Sequence, residues 1–134
     1  MQQTIRSILF LLLIAAGAAA QSSIHTTKVS FEKGTSGTAL KGTIKGDDTF
    51  DYVVRAAAGQ TMKVRLTTTN KSNYFNVNSP GSEAAIFIGS TTGYSFEGAV
   101  PETGNYTIRV YLMRNAARRN ESAHYTLDIS LGGK

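Results

Sequence analysis

The densest group of side chains able to do chemistry lies in the segment Met113 to His124, where Arg114, Asn115, Arg118 and Arg119 fall within six positions. A guanidinium stays charged at any physiological pH, and a cluster of them suits an acidic partner. Arg114 and Arg118 are four apart with the helix formers Ala116 and Ala117 between them, so a short helical turn would stack both on one side. The segment joins two strong strand patterns and is longer than a hairpin turn requires. It is therefore expected as a long hairpin with a cationic tip, either a probe for something acidic or simply a solvated loop. A second group, Asp47, Asp48 and Asp51, offers oxygen ligands around a turn. It lacks the alternating ligand pattern of a calcium loop, and turns attract aspartate for local hydrogen bonding. His25 and His124 stand far apart in a chain with no cysteine and no G-x-S-x-G elbow. Zinc and iron sites of the usual kind are excluded, and neither an enzyme, a cofactor nor a metal is expected.

The elements that must position these groups read as strands. Tyr106, Ile108, Val110 and Leu112 share one face, as do Tyr125, Leu127, Ile129 and Leu131. Met62, Val64 and Leu66 repeat the pattern, with Lys63 and Arg65 pointing outward. Phe50, Tyr52 and Val54 form another row, and Leu40, Gly42 and Ile44 a weaker one. Period two with polar residues between marks strands with one face buried. On this phase Tyr106 and Tyr125 are core, while Tyr111 faces away from Tyr106, beside Arg109. Turn signals separate the runs, at Lys33–Gly37, Lys45–Asp48, Ala58–Gln60, Ser79–Ser82 and Pro101–Gly104. Short strands punctuated in this way predict a single all-β domain, a compact antiparallel sandwich over residues 21–134.

Residues 1–20 read as a cleavable signal peptide. Arg6 precedes the apolar run Ile8 to Ile14, and small residues end in Ala18-Ala19-Ala20 before the polar Gln21. The run is too short for a bilayer-spanning helix, so no integral membrane anchor is expected. The chain carries 14 basic and 9 acidic residues, a net charge of +5, of which the leader holds Arg6. An exported domain of this size without thiols must hold together by packing and hydrogen bonds, which fits the bacterial periplasm. Nucleic acid is not an expected partner, because the basic residues are not interleaved with exposed aromatics. An unpaired edge strand leaves both monomer and homodimer open.

A series of segments carries a family likeness. Val29-x-Phe31-x-Lys33-Gly34 precedes Gly42-x-Ile44-Lys45-Gly46 and Ala58-Gly59-Gln60-x-Met62-x-Val64. Then come Val100-Pro101-Glu102-Thr103-Gly104-Asn105-Tyr106, Arg114-Asn115-x-Ala117-Arg118-Arg119-Asn120 and Tyr125-x-Leu127-Asp128-Ile129. From Val29 to Leu131 this resembles the bacterial periplasmic inhibitors of goose-type (g-type) lysozyme. Small pre-peptidase-type sandwich domains share the strand and turn parts, so the arginine loop is the most specific. The resemblance implies a rigid sandwich that occupies the substrate cleft of a muramidase. It implies contact through the loop of Arg114, Asn115, Arg118 and Arg119 and through the loop after Lys45-Gly46. There Asp47 stands where the family has an aromatic residue. Thr103-Gly104-Asn105-Tyr106 resembles the Ser-Gly signature of lysozyme inhibitors, with threonine in place of serine.

Glycosidases work with carboxyl groups beside the scissile bond, at least one ionised, and arginine can pair with such a group bidentately. Lysozymes are usually basic, so recognition by a cationic inhibitor would rest on local complementarity rather than long-range steering. The resemblance therefore implies a periplasmic inhibitor whose partner is a lysozyme, g-type in the first instance. The alternative is a non-catalytic module binding carbohydrate or peptidoglycan through Tyr74, Tyr94 and Tyr111. A structural envelope protein with no small ligand is a third reading.

Overall fold

The computed structural model describes residues 23–133; the expected leader, residues 1–20, lies outside them. The elements in order are β1 (Ile24–Lys28), β2 (Gly37–Lys45), β3 (Thr49–Ala56), β4 (Thr61–Thr68), β5 (Asn73–Asn78), β6 (Ala85–Ile88), a helical turn α1 (Gly89–Thr92), β7 (Ser95–Ala99), β8 (Gly104–Leu112), α2 (Arg114–Arg118) and β9 (Ser122–Gly132). They form two packed sheets, one of order β1-β3-β8-β5-β6 and one of order β2-β9-β4-β7. The turn signals fall between elements, and the all-β sandwich is the observed fold.

Alternation decides which face each strand buries. Tyr106, Ile108 and Val110 of β8 meet Leu127, Ile129 and Val64 of the opposite sheet in one continuous core. Tyr52 and Tyr125 reach across that core from opposite sheets, and their hydroxyls pair at 2.7 Å. Burial, and then the Tyr52 hydroxyl, push the Tyr125 phenol well above its ordinary pKa. Gly42 is required where Tyr125 crosses beneath β2, because a Cβ there would meet the phenol oxygen at 2.5 Å.

Three expectations need correction. The sandwich is not wholly antiparallel, since the edge strand β1 runs parallel to β3, Ile24 opposite Thr49 and Lys28 opposite Val53. Strands β8 and β9 do not form a hairpin, because each lies inside a different sheet. Their connection is a crossover at the end of the sandwich, pinned by Ala116 and Ala117, which are buried in the core. Asp51 does not belong with Asp47 and Asp48. It sits on the outer face of β3 and takes both donors of Arg109 on β8, at 2.8 and 2.9 Å, a pairing that raises the arginine's pKa.

Val110 and Ile129 are 0% and 1% exposed on the two facing sheets. Val110→Asp or Ile129→Asp should each cost at least ~4 kcal/mol, since a carboxylate there has no partner. Loss of the cooperative thermal transition is the expected result; a folded variant would mean the strand phase is wrong.

Candidate functional site

The cationic segment winds, as its alanines suggest, into α2. Ala117 N–H donates to Met113 O at 2.9 Å, and Ala116 and Ala117 turn into the core. That leaves Arg114, Asn115 and Arg118 on the exposed side. The helix stops at Asn120, whose φ of 55° is a left-handed conformation that asparagine tolerates better than most residues. The amides of Asn120 and Glu121 then close back on the carbonyls of Ala117 and Ala116, at 2.9 and 3.1 Å.

Beside α2 lies the Lys45–Asp48 turn, closed by Asp48 N–H donating to Lys45 O at 3.2 Å. Two contacts lock turn and helix together. Gly46 N–H donates to Glu121 O at 2.9 Å. Gly46 is also left-handed, φ 59°, and packs so closely on Asn120 that a Cβ would sit 2.8 Å from its Oδ1. Between turn and helix is a depression of about 340 Å³, whose lining includes Asp47, Asp48, Thr49, Tyr111 and Arg114. A larger concavity, about 620 Å³, is the open outer face of the four-stranded sheet, with Lys63, Arg65, Glu97 and Asp128 on it. It has the mixed charges of an ordinary solvated sheet and holds none of the expected site residues.

The basic residues differ in how far they are committed. Arg119 Nε donates to Glu121 at 2.6 Å, and Asn70 Nδ2 donates to the same carboxylate at 3.0 Å. Asn70 and Arg119, in that order, hold the Glu121 carboxyl below its ordinary pKa. Arg109 is taken by Asp51, with Glu83 at 3.6 Å. Among the described residues Arg114 and Arg118 have no ion-pair partner, so both are available to an incoming anion.

The expected site residues divide between the two ends of the sandwich. Arg114, Asn115, Arg118, Arg119 and Asp47 gather at one end. Thr103, Gly104 and Tyr106 lie at the other, where β8 begins, roughly 26 Å away along a nine-residue strand. There Tyr106 is wholly buried, donates to Glu102 O at 2.6 Å and accepts from Glu102 N–H at 3.1 Å. Thr103 Oγ1 accepts from Ala58 N–H at 2.9 Å, and Gly104 lies against Pro80. These three brace a turn, and the Tyr106 side chain is beyond a partner's reach.

The three tyrosines of the carbohydrate alternative also come together. Tyr94 stacks on Tyr74 with centroids 5.0 Å apart, and Tyr74 is the cross-strand neighbour of Tyr111. The adjoining Tyr74 phenol and partial burial push the Tyr94 pKa up to about 12. Tyr111 donates to Asn76 Oδ1 at 3.0 Å, and Tyr94 donates to Lys71 O at 2.7 Å. Tyr94 and Tyr74 each present one ring face to the other, so this is no open stacking platform. Spacing did not reveal the lock made by Gly46, Asn120, Glu121 and Asn70, whose members are distant in sequence. The Lys-Gly-Asp-Asp turn was its one local signal.

No family model matches the sequence. The chain is 30% identical over 130 residues to the inhibitor of g-type lysozyme of Escherichia coli K12, with 92% of each covered. Its fold is similar to the crystal structure of the periplasmic inhibitor of g-type lysozyme from Aeromonas hydrophila. The TM-score is 0.77 at 38% identity, over 83% of this chain and 99% of that one. The Salmonella Typhimurium inhibitor of g-type lysozyme gives 0.64 at 26% identity, over 81% and 98%. A pre-peptidase C-terminal domain of a Bacillus anthracis collagenase shares the fold alone, at 0.52 and 16% identity over 83% and 96%.

Gly46→Ala should cost about 1–2 kcal/mol from the left-handed backbone alone. It should also part the turn from Asn120, seen as faster amide exchange at both Gly46-adjacent residues and Asn120 while the core stays protected. Glu121 supplies a pH dependence. A carboxylate with a lowered folded-state pKa adds stability above its unfolded value and loses it as pH falls through the lowered one. Protection of the Asn120 and Glu121 amides, taken relative to their intrinsic exchange rates, should therefore fall as pH drops through the lowered Glu121 pKa. In Glu121→Gln that acid step should be absent.

Proposed function

The chain belongs to the family of periplasmic inhibitors of g-type lysozyme, and we propose that it inhibits by seating the α2 end of its sandwich in the muramidase cleft. The protein is a periplasmic inhibitor of g-type lysozyme; the residues that make the contact are the proposal. One observation carries it. Four arginines lie at or near this end of β8 and α2, and the two whose charges are not neutralised within the fold, Arg114 and Arg118, are exposed on a helix fixed to the core.

A glycosidase cleft presents carboxyl groups about the scissile bond. Arg114, on the wall of the depression, approaches such a carboxylate with a planar fork able to make two parallel charge-assisted bonds. Arg118, one turn on, covers the neighbouring position. A cleft without the carboxylate would bury these cations unpaired, which costs several kcal/mol and rejects the wrong enzyme. Asp47 adds a negative charge across the depression, so the target is expected to bring a donor or a cation to that rim. No step of bond making is involved. The inhibitor occupies the cleft and excludes the glycan.

The test is a lysis assay with chain lacking residues 1–20 and goose-, chicken- and invertebrate-type lysozymes acting on bacterial cell walls. Dose-dependent protection against the goose-type enzyme is the expected outcome. The double variant Arg114→Ala, Arg118→Ala should lose inhibition at least ~100-fold, about 2.7 kcal/mol, with a thermal midpoint close to that of the parent. Full inhibition by the double variant would mean that another surface makes the contact.

A further inference from the structure

The helix α2 and the Gly46–Asp48 turn offer eight residues, only about a third of the roughly 20–30 a side that a stable protein–protein interface uses. Neighbouring surface must supply the remainder, and two surfaces adjoin. On the four-stranded sheet the neighbours are Lys45, Thr43, Ser122 and His124, all exposed and polar. Lysine and serine are depleted at interfaces. The outer face of the five-stranded sheet is different.

At this end of that sheet a row of side chains crosses four strands. Ile24 of β1 is opposite Thr49 of β3. Phe50 pairs with Val110, so one step further along the same register Thr49 stands opposite Tyr111 of β8. Tyr111 pairs with Tyr74 of β5, on which Tyr94 stacks. Ile24 is 59% exposed, and Met113, where β8 gives way to α2, is 40% exposed. Thr49 and Tyr111 belong at once to this row and to the wall of the Arg114 depression. Ile24 lies two strand spacings from Tyr111, about 10 Å. A contiguous row, with Ile24 joined through Thr49 to the aromatic Tyr111 and Tyr74, thus extends from the ionic depression. Aromatic residues and methionine, like arginine, are enriched at interfaces.

We propose that the stripe Ile24–Thr49–Tyr111–Tyr74 is a second contact area for the same lysozyme, covering the wall beside its cleft; this rests on the inhibitor reading above. The occupant follows from continuity, since a body seated on Arg114 and Tyr111 extends over Thr49 and Ile24. The stripe also ties inhibition to the amino end of the domain. Ser23 O accepts from Thr49 N–H at 2.9 Å, so the chain enters β1 at the edge of the contact surface. β9 carries the other terminus to the far end, Gly132 lying opposite Thr61. Bulk placed ahead of Ser23 therefore obstructs the target, and bulk after Lys134 does not.

Ile24→Glu tests this, because an exposed residue on an edge strand can take a charge without loss of fold. Inhibition of g-type lysozyme should weaken at least tenfold with an unchanged thermal midpoint. A compact folded domain joined directly ahead of Gln21 should weaken it similarly, while the same domain after Lys134 leaves it at full strength. Full inhibition by Ile24→Glu overturns the proposal, whatever the fusions do. Absence of inhibition by the unmodified protein would instead overturn the inhibitor reading, and this inference with it.

Discussion

Burial of the inner faces of β8 and β9 is the constraint on which the rest of the molecule depends. These strands are consecutive in the chain yet lie inside opposite sheets, each flanked on both sides by others. With no cysteine to tie the layers, the interlocked row of Ile108 and Val110 with Leu127 and Ile129 must hold them together. The Tyr52–Tyr125 hydroxyl pair adds direction, because two buried phenols satisfy each other only when the sheets stand in one relative position. Whatever connects β8 to β9 has to cross from one sheet to the other at their common end. That connection is α2. The arginines therefore ride on the one crossover whose two anchors are the central strands of the domain.

This arrangement fixes a five-residue helix firmly enough for the recognition proposed above. In isolation such a segment would not stay helical, since nucleation costs more than one turn returns. Here Ala116 and Ala117 occupy the core, the chain on either side is strand, and the Lys45–Asp48 turn leans on its far end through Gly46. An arginine held this way loses less freedom on meeting a carboxylate than one on a loose loop, and that saving goes into affinity.

Much of this was legible in the sequence, and the losses have definite causes. Period two identified β2, β3, β4, β8 and β9, because in each the core-facing residues are mostly apolar and most of those between them are polar. β5 gave no such signal. Asn73 and Asn78 occupy buried positions in it, and Asn73 is kept there by Thr68 and by the Tyr111 carbonyl. β1 was invisible for the opposite reason, since all five of its residues are exposed and it is held by backbone pairing to β3. Alternation tells which side of a strand is buried but not which sheet it joins. A crossover between β8 and β9 therefore reads the same as a hairpin. The site residues divided for a related reason. Tyr106 and Arg114 are eight apart in sequence, and only an extended strand between them sends one to each end of the domain.

The distribution of charge completes the account. The protein and a typical lysozyme would repel at long range, so specificity has to come from contact. Two of the acids near the arginines have a task within the fold. Asp51 fastens Arg109 to the outer sheet face, and Glu121 fastens Arg119 and Asn70 to the end of α2. Asp47 and Asp48 share the depression with Arg114 but form no ion pair with it among the described residues, so a target carboxylate has no existing pair to break before forming its own. Keeping those two guanidiniums solvated means that binding strips water from them and returns a carboxylate only in a cleft that supplies one. On the contact proposed above, the unpaired state in solution is the source of selectivity. The same side chains are tolerated in water, costly in the wrong cleft and satisfied in the right one.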